Sequence, residues 1–230
     1  MLHKRLFNVL LVFFCFLFLI TPLLLLEKGT VLLFINKNHS FFLDGVFKIL
    51  SSIGNGFSIV FIGVLLLLFF KVKYAFQFIF SFLIQLFIVL MFKEVLLHGS
   101  FRPFKYFGSN EGAVILNLVE GVKIYNFGSF PSGHTATIFF ITTFLALCIN
   151  NSIITFLLIL LSFLVGMSRI YLVQHFFIDV YFGSIFGVLS SVIAFMIINS
   201  YKIPWYNRFI FPNVFDVFAR TERLTTPKFR

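Results

Sequence analysis

The chain has little charge, and most of the charge it has is of one sign. Only 11% of its 230 residues are Asp, Glu, Lys or Arg, whereas 60% are hydrophobic. Soluble globular domains carry about 25% charged residues, so that class is excluded. The composition predicts an all-α integral membrane protein. It forms a single domain over residues 1–230, because several spans of about 20 residues leave no room for a soluble domain.

Cysteine and acidic residues are also scarce. Cys15 and Cys148 lie inside hydrophobic runs, which excludes a disulfide framework and leaves neither thiol with metal-ligating neighbours. No cluster of Asp, Glu and His indicates a metal site, so we expect no metal and no other cofactor.

The net charge of +10 comes from Lys and Arg scattered between hydrophobic runs. This pattern favours anionic lipid as a partner and disfavours nucleic acid.

The hydrophobic runs predict six transmembrane helices packed as a bundle. Their predicted limits are 6–26, 56–70, 74–97, 133–149, 153–171 and 179–199. The first run is long and lacks an A-x-A-like cleavage site, so we interpret it as a retained helix and not as a signal peptide. Between the first two runs, residues 38–52 have the spacing of an amphipathic helix in the membrane interface, with Asn38 or Ser40 as its N-cap.

The basic residues predict the orientation of the bundle. With the N-terminus in the cytoplasm, ten basic residues lie on the cytoplasmic side and eight on the other side. If Lys93, Arg102 and Arg169 serve the active site and are left out of the count, ten basic residues lie on the cytoplasmic side and five on the other side. Residues 200–230 are predicted to form a basic interfacial tail, and residues 99–130 a long loop. We expect a bacterial inner membrane protein whose active face points to the periplasm.

Polar residues interrupt the hydrophobic sequence at three places, where polarity is costly in a membrane. These places are Lys93 to Arg102-Pro103, then Pro131-Ser132-Gly133-His134, then Ser168-Arg169 with His175 and Asp179. Each lies at an end of a predicted span on the same side, so the alternation of spans brings all three to one membrane surface. Two histidines, two arginines, a lysine and an aspartate at one surface indicate a phosphate site.

The residue types indicate how such a site would work. If their stretch is helical, His175 and Asp179 lie on one face, so Asp179 would hold one imidazole nitrogen while the other attacks phosphorus. His134 begins a helix whose positive end favours a phosphate oxygen; it would protonate the leaving oxygen and then activate water. Arg102, Arg169 and a lysine would stabilise the charge on the transferred group without a metal.

The three motifs resemble those of the type-2 phosphatidic acid phosphatase superfamily, which also contains vanadium haloperoxidases. The family pattern is K-x6-R-P, P-S-G-H and S-R-x5-H-x3-D, and the second and third motifs match it without substitution. The resemblance covers residues 93–179 and implies a six-helix membrane core with a phosphohistidine mechanism. It implies His175, His134 and Asp179 as catalytic residues, and Arg102, Arg169, Ser132, Gly133 and Lys93 as phosphate-binding residues.

The first motif departs from the family pattern. Counting back from Arg102 places the family's lysine two residues after Lys93. On an uninterrupted helix, this shift turns the side chain by roughly 160°. A break or bulge near Gly99 would restore its direction; alternatively, His98 or Lys105 supplies the charge.

The sequence therefore predicts an enzyme that hydrolyses the terminal phosphate of a membrane lipid. Undecaprenyl diphosphate, phosphatidylglycerol phosphate, phosphatidic acid and lipid A are candidate substrates by family resemblance, and the loop at 99–130 is expected to choose among them. Two alternatives stay open: phosphoryl transfer to another lipid or a sugar, and a non-catalytic carrier or binding protein for phospholipid. A haloperoxidase is disfavoured, because no soluble scaffold remains to surround vanadate. The sequence leaves the oligomeric state open.

Overall fold

The structure, a computed structural model, describes residues 2–108, 114–201, 203, 204, 208 and 209. Within these residues the regular secondary structure is helical and the remainder is loop, turn and two isolated β-bridges, so the all-α prediction is confirmed. The helices are α1 (Leu2–Ile20), α2 (Thr30–Asn36), α3 (Phe41–Ile53), α4 (Gly56–Phe69), α5 (Val72–Leu90), α6 (Pro103–Gly108), α7 (Gly133–Ile149), α8 (Ser152–Tyr171) and α9 (Phe177–Ser200). A 3-10 helix, Thr21–Leu25, continues α1, and a π-helix, Met91–Leu96, continues α5.

Four of the described helical segments are long and hydrophobic enough to cross a membrane alone. They are His3–Leu25, Val72–Leu96, Ser152–Tyr171 and Phe177–Ser200. Helices α3 and α4 meet at a bend of 50° and make a fifth span if they are counted as one broken helix. Helix α7 has 17 residues, fewer than the roughly 20 that a full span needs. These helices indicate an integral membrane protein, while the number of six spans stays a prediction.

The outer surface of the bundle is hydrophobic. Phe18 on α1 is 79% exposed, Phe57 on α4 is 74% exposed and Phe87 on α5 is 65% exposed. An apolar surface of this extent is unusual for a soluble monomer but suits contact with lipid. Polar side chains such as Gln77 and Ser81 of α5 are buried inside instead. The bundle therefore has the polarity expected of a protein that uses the bilayer as its solvent.

The centre of the bundle is the contact between α7 and α9. Gly183 and Gly187 lie one turn apart on α9 and allow the α7 backbone to approach closely: a Cβ at Gly187 would lie 2.4 Å from the carbonyl oxygen of Ala136. Small residues four apart are common where membrane helices pack, because they let two backbones meet. This contact fixes α7, which carries His134, against α9, which carries Asp179.

Helix α3 covers most of the stretch 38–52, for which an amphipathic helix was predicted, while its amphipathic character stays a prediction. Ser40 is its N-cap, and the Ser40 hydroxyl accepts a hydrogen bond from the Leu43 N–H at 3.3 Å. One face of α3 exposes Phe41 and Phe42, and another face packs on α8. Its position in the membrane interface stays a prediction, and its bent connection to α4 was not expected from the sequence.

The long loop predicted at 99–130 contains more structure than the sequence indicated. Helix α6 interrupts it, beginning at Pro103, where the missing proline N–H breaks no helical hydrogen bond. The two ends of the segment pair with each other through an isolated bridge between Phe101 and Phe127. Residues 109–113 of this segment, and most of the tail predicted at 200–230, lie outside the described residues.

Candidate active site

The motif Pro131-Ser132-Gly133-His134 forms the capped start of α7. The Ser132 hydroxyl accepts hydrogen bonds from the Thr135 N–H at 3.4 Å and from the Thr135 hydroxyl at 2.8 Å. The Ser132 N–H in turn donates to the carbonyl oxygen of Asp179 at 3.0 Å. The first turn of α7, including His134, is therefore fixed against the first turn of α9.

His175 and Asp179 meet across a turn, so the condition that their whole stretch is helical is not met, although the two side chains do lie together. The stretch between α8 and α9 is not helical, and Val173 within it has a φ of 57°, uncommon for a β-branched residue. The N–H groups of Gln174 and His175 donate back to the Arg169 carbonyl at 2.9 and 3.2 Å. The chain thereby reverses, and the two side chains meet with His175 Nδ1 3.5 Å from Asp179 Oδ2.

The Asp179 carboxylate is buried, and two other donors hold it. Its Oδ2 atom accepts hydrogen bonds from the Ser129 hydroxyl at 2.5 Å and from the Phe176 N–H at 2.9 Å. The 3.5 Å separation from His175 is too long for a well-formed hydrogen bond, and His175 Nδ1 has no other partner among the described residues. In enzymes without bound substrate, hydrogen bonds of catalytic residues are often this long and shorten when the substrate binds.

His175 is 1% exposed. Burial lowers the pKa of its imidazole from 6.5 to about 3, with Arg102 and Arg169 acting in the same direction and Asp179 opposing them. The imidazole is therefore neutral at neutral pH. A neutral ring nitrogen carries the lone pair that a nucleophile needs.

Arg169 reaches the site from the last turn of α8 and is only 7% exposed. Its Nη1 donates to the hydroxyl of Ser51 on α3, and its Nε has no partner among the described residues. None of the ion pairs within the described part of the chain involves this guanidinium. A buried cation without a counter-ion is costly, which favours binding of an anion here.

Lys93 and Arg102 converge on one carbonyl oxygen. Lys93 Nζ donates to Gly128 O at 2.9 Å, and Arg102 Nη2 donates to the same atom at 3.4 Å. Lys93 lies in the π-helix Met91–Leu96, whose wider turn changes the register of the side chains relative to an α-helix. The distortion that redirects the lysine therefore lies around Lys93 itself, earlier than the predicted break near Gly99, although Gly99 does follow with a φ of 79°.

Electrostatic interactions join these clusters into one site at one end of the bundle. His134 lies within electrostatic range of Arg169, His175, Arg102 and Lys93. Two histidines, three cations and one buried aspartate thus surround a common space. The described residues include no group of three or more His, Cys, Asp and Glu side chains arranged to hold a metal ion. This arrangement suits the binding and transfer of a phosphoryl group.

The same motifs lie within a match to a known protein family. The model of the PAP2 superfamily matches residues 74–202, which include all three motifs. The chain belongs to the PAP2 superfamily. The resemblance drawn from the three motifs is thereby confirmed.

A solved structure supports the PAP2 fold. The crystal structure of LpxE from Aquifex aeolicus matches with a TM-score of 0.64 and 25% sequence identity, covering 74% of this chain and 96% of the LpxE chain. No curated protein sequence matches the chain. The PAP2 match and the LpxE-like fold together support a lipid phosphatase.

Two residues of this PAP2 site were missed from the sequence. Ser129 binds the Asp179 carboxylate, and Gln174 is 2% exposed and accepts hydrogen bonds from Arg102 Nη1 through its backbone oxygen at 3.2 Å and Oε1 at 3.3 Å. Gln174 Nε2 also donates to the Lys123 carbonyl at 3.1 Å, which ties the loop to the site. A polar residue directly before His175 in a hydrophobic stretch was the available signal.

The structure brings Lys93, and neither of its two alternatives, to the other members of the PAP2 site. The His98 side chain is 79% exposed and lies 4.0 Å from Glu94, and Lys105 is exposed on α6. Lys93, in contrast, shares the Gly128 carbonyl with Arg102. Its placement is therefore settled, while its role stays a prediction.

Replacement of Lys93 by Met is expected to lower kcat/KM for a lipid phosphate by about 100-fold, because one cation that stabilises the transferred group is lost. The matched variants His98→Ala and Lys105→Met should each lose less than about fivefold, because both side chains are exposed and Lys93 is the one that shares the Gly128 carbonyl with Arg102. Phosphate release in detergent micelles measures all three. A larger loss for either matched variant than for Lys93→Met would show that another residue fills the lysine role.

Proposed function

We propose that the protein hydrolyses the terminal phosphate of a membrane lipid through a phosphohistidine formed on His175. The observation that carries this proposal is the buried neutral imidazole of His175, which lies beside Asp179 and within electrostatic range of Arg102 and Arg169. A carrier or binding protein needs cations and N–H groups to hold phosphate. It does not need a buried nucleophile with an orienting carboxylate and a second histidine.

In the first step, a nitrogen lone pair of His175 attacks the phosphorus atom. With Nδ1 facing Asp179, the attacking atom is Nε2. A P–N bond forms and the bond from phosphorus to the lipid oxygen breaks, while His134, which is protonated once the negatively charged phosphate lies beside it, gives its proton to that leaving oxygen. Arg102, Arg169 and Lys93 stabilise the charge on the three equatorial oxygens.

In the second step, water attacks the phosphohistidine. His134, now neutral, takes a proton from the water, the P–N bond breaks, and inorganic phosphate leaves. His175 returns to its neutral form, so the cycle restores both histidines. The Gly133 N–H, at the positive end of α7, holds a phosphate oxygen through both steps, since the Ser132 N–H already donates to the Asp179 carbonyl oxygen.

The surroundings of the site suit a lipid headgroup. A cavity of about 260 Å³ borders Phe176, the residue after His175, and its wall combines hydrophobic residues such as Leu23 and Leu32 with the charged Glu27 and Lys28. A second cavity, of about 490 Å³, lies beside Lys93 and is lined by Glu94, His98 and Phe127 among others. The lipid chain would stay in the bilayer while the phosphate enters the cationic pocket. We place this pocket on the periplasmic face of a bacterial inner membrane, as the distribution of basic residues predicts.

A panel of lipid phosphates tests this function with purified protein in detergent and excess EDTA. The panel holds phosphatidic acid, phosphatidylglycerol phosphate, undecaprenyl diphosphate and lipid A, and the released inorganic phosphate is measured. Metal-independent release from at least one of them is expected. Binding of these lipids without release from any of them would favour the carrier. Transfer of the terminal phosphate to an added lipid or sugar, in place of release as free phosphate, would favour the transferase.

A further inference from the structure

We infer that Ser51 is a positioning residue that holds the Arg169 guanidinium in the orientation that binds phosphate; this inference rests on the proposed function. Ser51 lies in the last turn of α3 and is 6% exposed. Its hydroxyl accepts a hydrogen bond from Arg169 Nη1. No acidic side chain in the described part of the chain pairs with Arg169, so this neutral hydroxyl on another helix fixes one nitrogen of the guanidinium.

The geometry leaves the rest of the guanidinium for the substrate. An arginine side chain presents five N–H donors in a rigid plane, so fixing Nη1 fixes the direction of the others. Arg169 Nε is buried and has no partner among the described residues. A phosphate dianion supplies the oxygen acceptor that Arg169 Nε lacks. A carboxylate in place of Ser51 would neutralise the cation and weaken its attraction for phosphate.

Helix α3 is fixed to the site at three points, so the Ser51 contact is held in place. Near its start, Asp44 Oδ1 accepts a hydrogen bond from the Tyr171 hydroxyl at 2.5 Å. Seven residues later, about two turns along the same face, Ser51 meets Arg169. Just beyond the helix, Gly54 packs on the first turn of α7: a Cβ there would lie 3.0 Å from the His134 carbonyl oxygen. The helix that the sequence assigned to the membrane interface thus forms one wall of the site.

Vanadate binding, measured by calorimetry on purified protein in detergent, tests the inference without requiring turnover. Ser51→Ala is expected to weaken vanadate binding by about 10- to 100-fold, because the hydrogen bond to a charged group is lost and the guanidinium is free to rotate. Ser52→Ala is the matched control. Ser52 is exposed, and its hydroxyl donates to the Ile49 carbonyl of its own helix, so its variant should bind vanadate within about twofold of wild type.

Two further comparisons separate positioning from a structural role. Tyr171→Phe removes the hydrogen bonds of the Tyr171 hydroxyl to Asp44 and to the Ser40 N–H at the start of α3, so it should lower Tm but keep vanadate affinity within about twofold. Ser51→Thr and Ser51→Val are equal in size, so any overpacking or loss of folding affects both, and only the hydroxyl differs. The Thr variant should bind vanadate about tenfold more tightly than the Val variant.

Equal vanadate affinity in the Thr and Val variants, or an effect of Tyr171→Phe as large as that of Ser51→Ala, would overturn the inference. Absence of vanadate binding by the wild-type protein would overturn it as well. A wild-type protein that binds vanadate, depends on Ser51 for this, and releases phosphate from no lipid would instead contradict the proposed function alone.

Discussion

Replacement of His175 by Ala is expected to lower phosphate release from a lipid phosphate by at least about 1,000-fold, because the nucleophile that forms the covalent intermediate is lost. Brief incubation with a substrate labelled at the terminal phosphate, followed by alkaline denaturation, should label the wild-type protein and leave the variant unlabelled. The side chain is buried beside Asp179, so circular dichroism and gel filtration of the variant in detergent establish that the fold is kept.

The matched control for this experiment is His3→Ala. His3 is exposed near the N-terminus of α1, at the opposite end of the bundle from the motifs, and its loss should leave turnover within about twofold of wild type. Phosphate release by the His175 variant at the wild-type rate would contradict the covalent mechanism. A slow variant together with an unlabelled wild-type protein would point to His175 acting as a base on water instead.

Replacement of Gly187 by Ala is expected to lower the free energy of unfolding by about 3 kcal/mol or more and to abolish activity. The added Cβ would lie 2.4 Å from the Ala136 carbonyl oxygen and 2.7 Å from Phe139 Cβ, both parts of α7 that cannot rotate away. Helix α7 must therefore move away from α9. Because α7 carries His134 and α9 carries Asp179, this movement separates two members of the site.

Gly45→Ala provides the matched control for the packing effect. Gly45 is also inside a helix, α3, but a Cβ there would meet nothing within 4 Å. Alanine is the better helix former by about 1 kcal/mol, so this variant should keep or slightly raise the Tm and keep its activity. Thermal unfolding in detergent, read together with phosphate release, compares the two variants. A Gly187→Ala protein as stable as Gly45→Ala would show that α7 and α9 do not pack as closely as described.

Most of the helices were predictable, because a long hydrophobic run that crosses a membrane forms a helix. Backbone groups in lipid must bond within their own segment, so a long apolar run becomes a helix. The prediction for 133–149 coincides with α7, and the prediction for 153–171 begins one residue after α8 does. Bends and distortions were harder to predict, since the 50° bend between α3 and α4 and the π-helix around Lys93 depend on what the chain packs against.

The sequence by itself determined the membrane class, the helical fold and the identity of the polar residues that gather at one end, because polarity in an apolar chain is costly and was therefore informative. Only the tertiary structure decided that Lys93 joins Arg102, that Ser129 and Phe176 hold Asp179, and that Ser51 reaches Arg169. Ser51 lies 118 residues from Arg169, and Ser129 lies 50 residues from Asp179. Packing between helices, which has no local sequence pattern, brings such residues together, and the Phe176 and Lys93 contacts depend on a turn and a π-helix that the sequence did not predict.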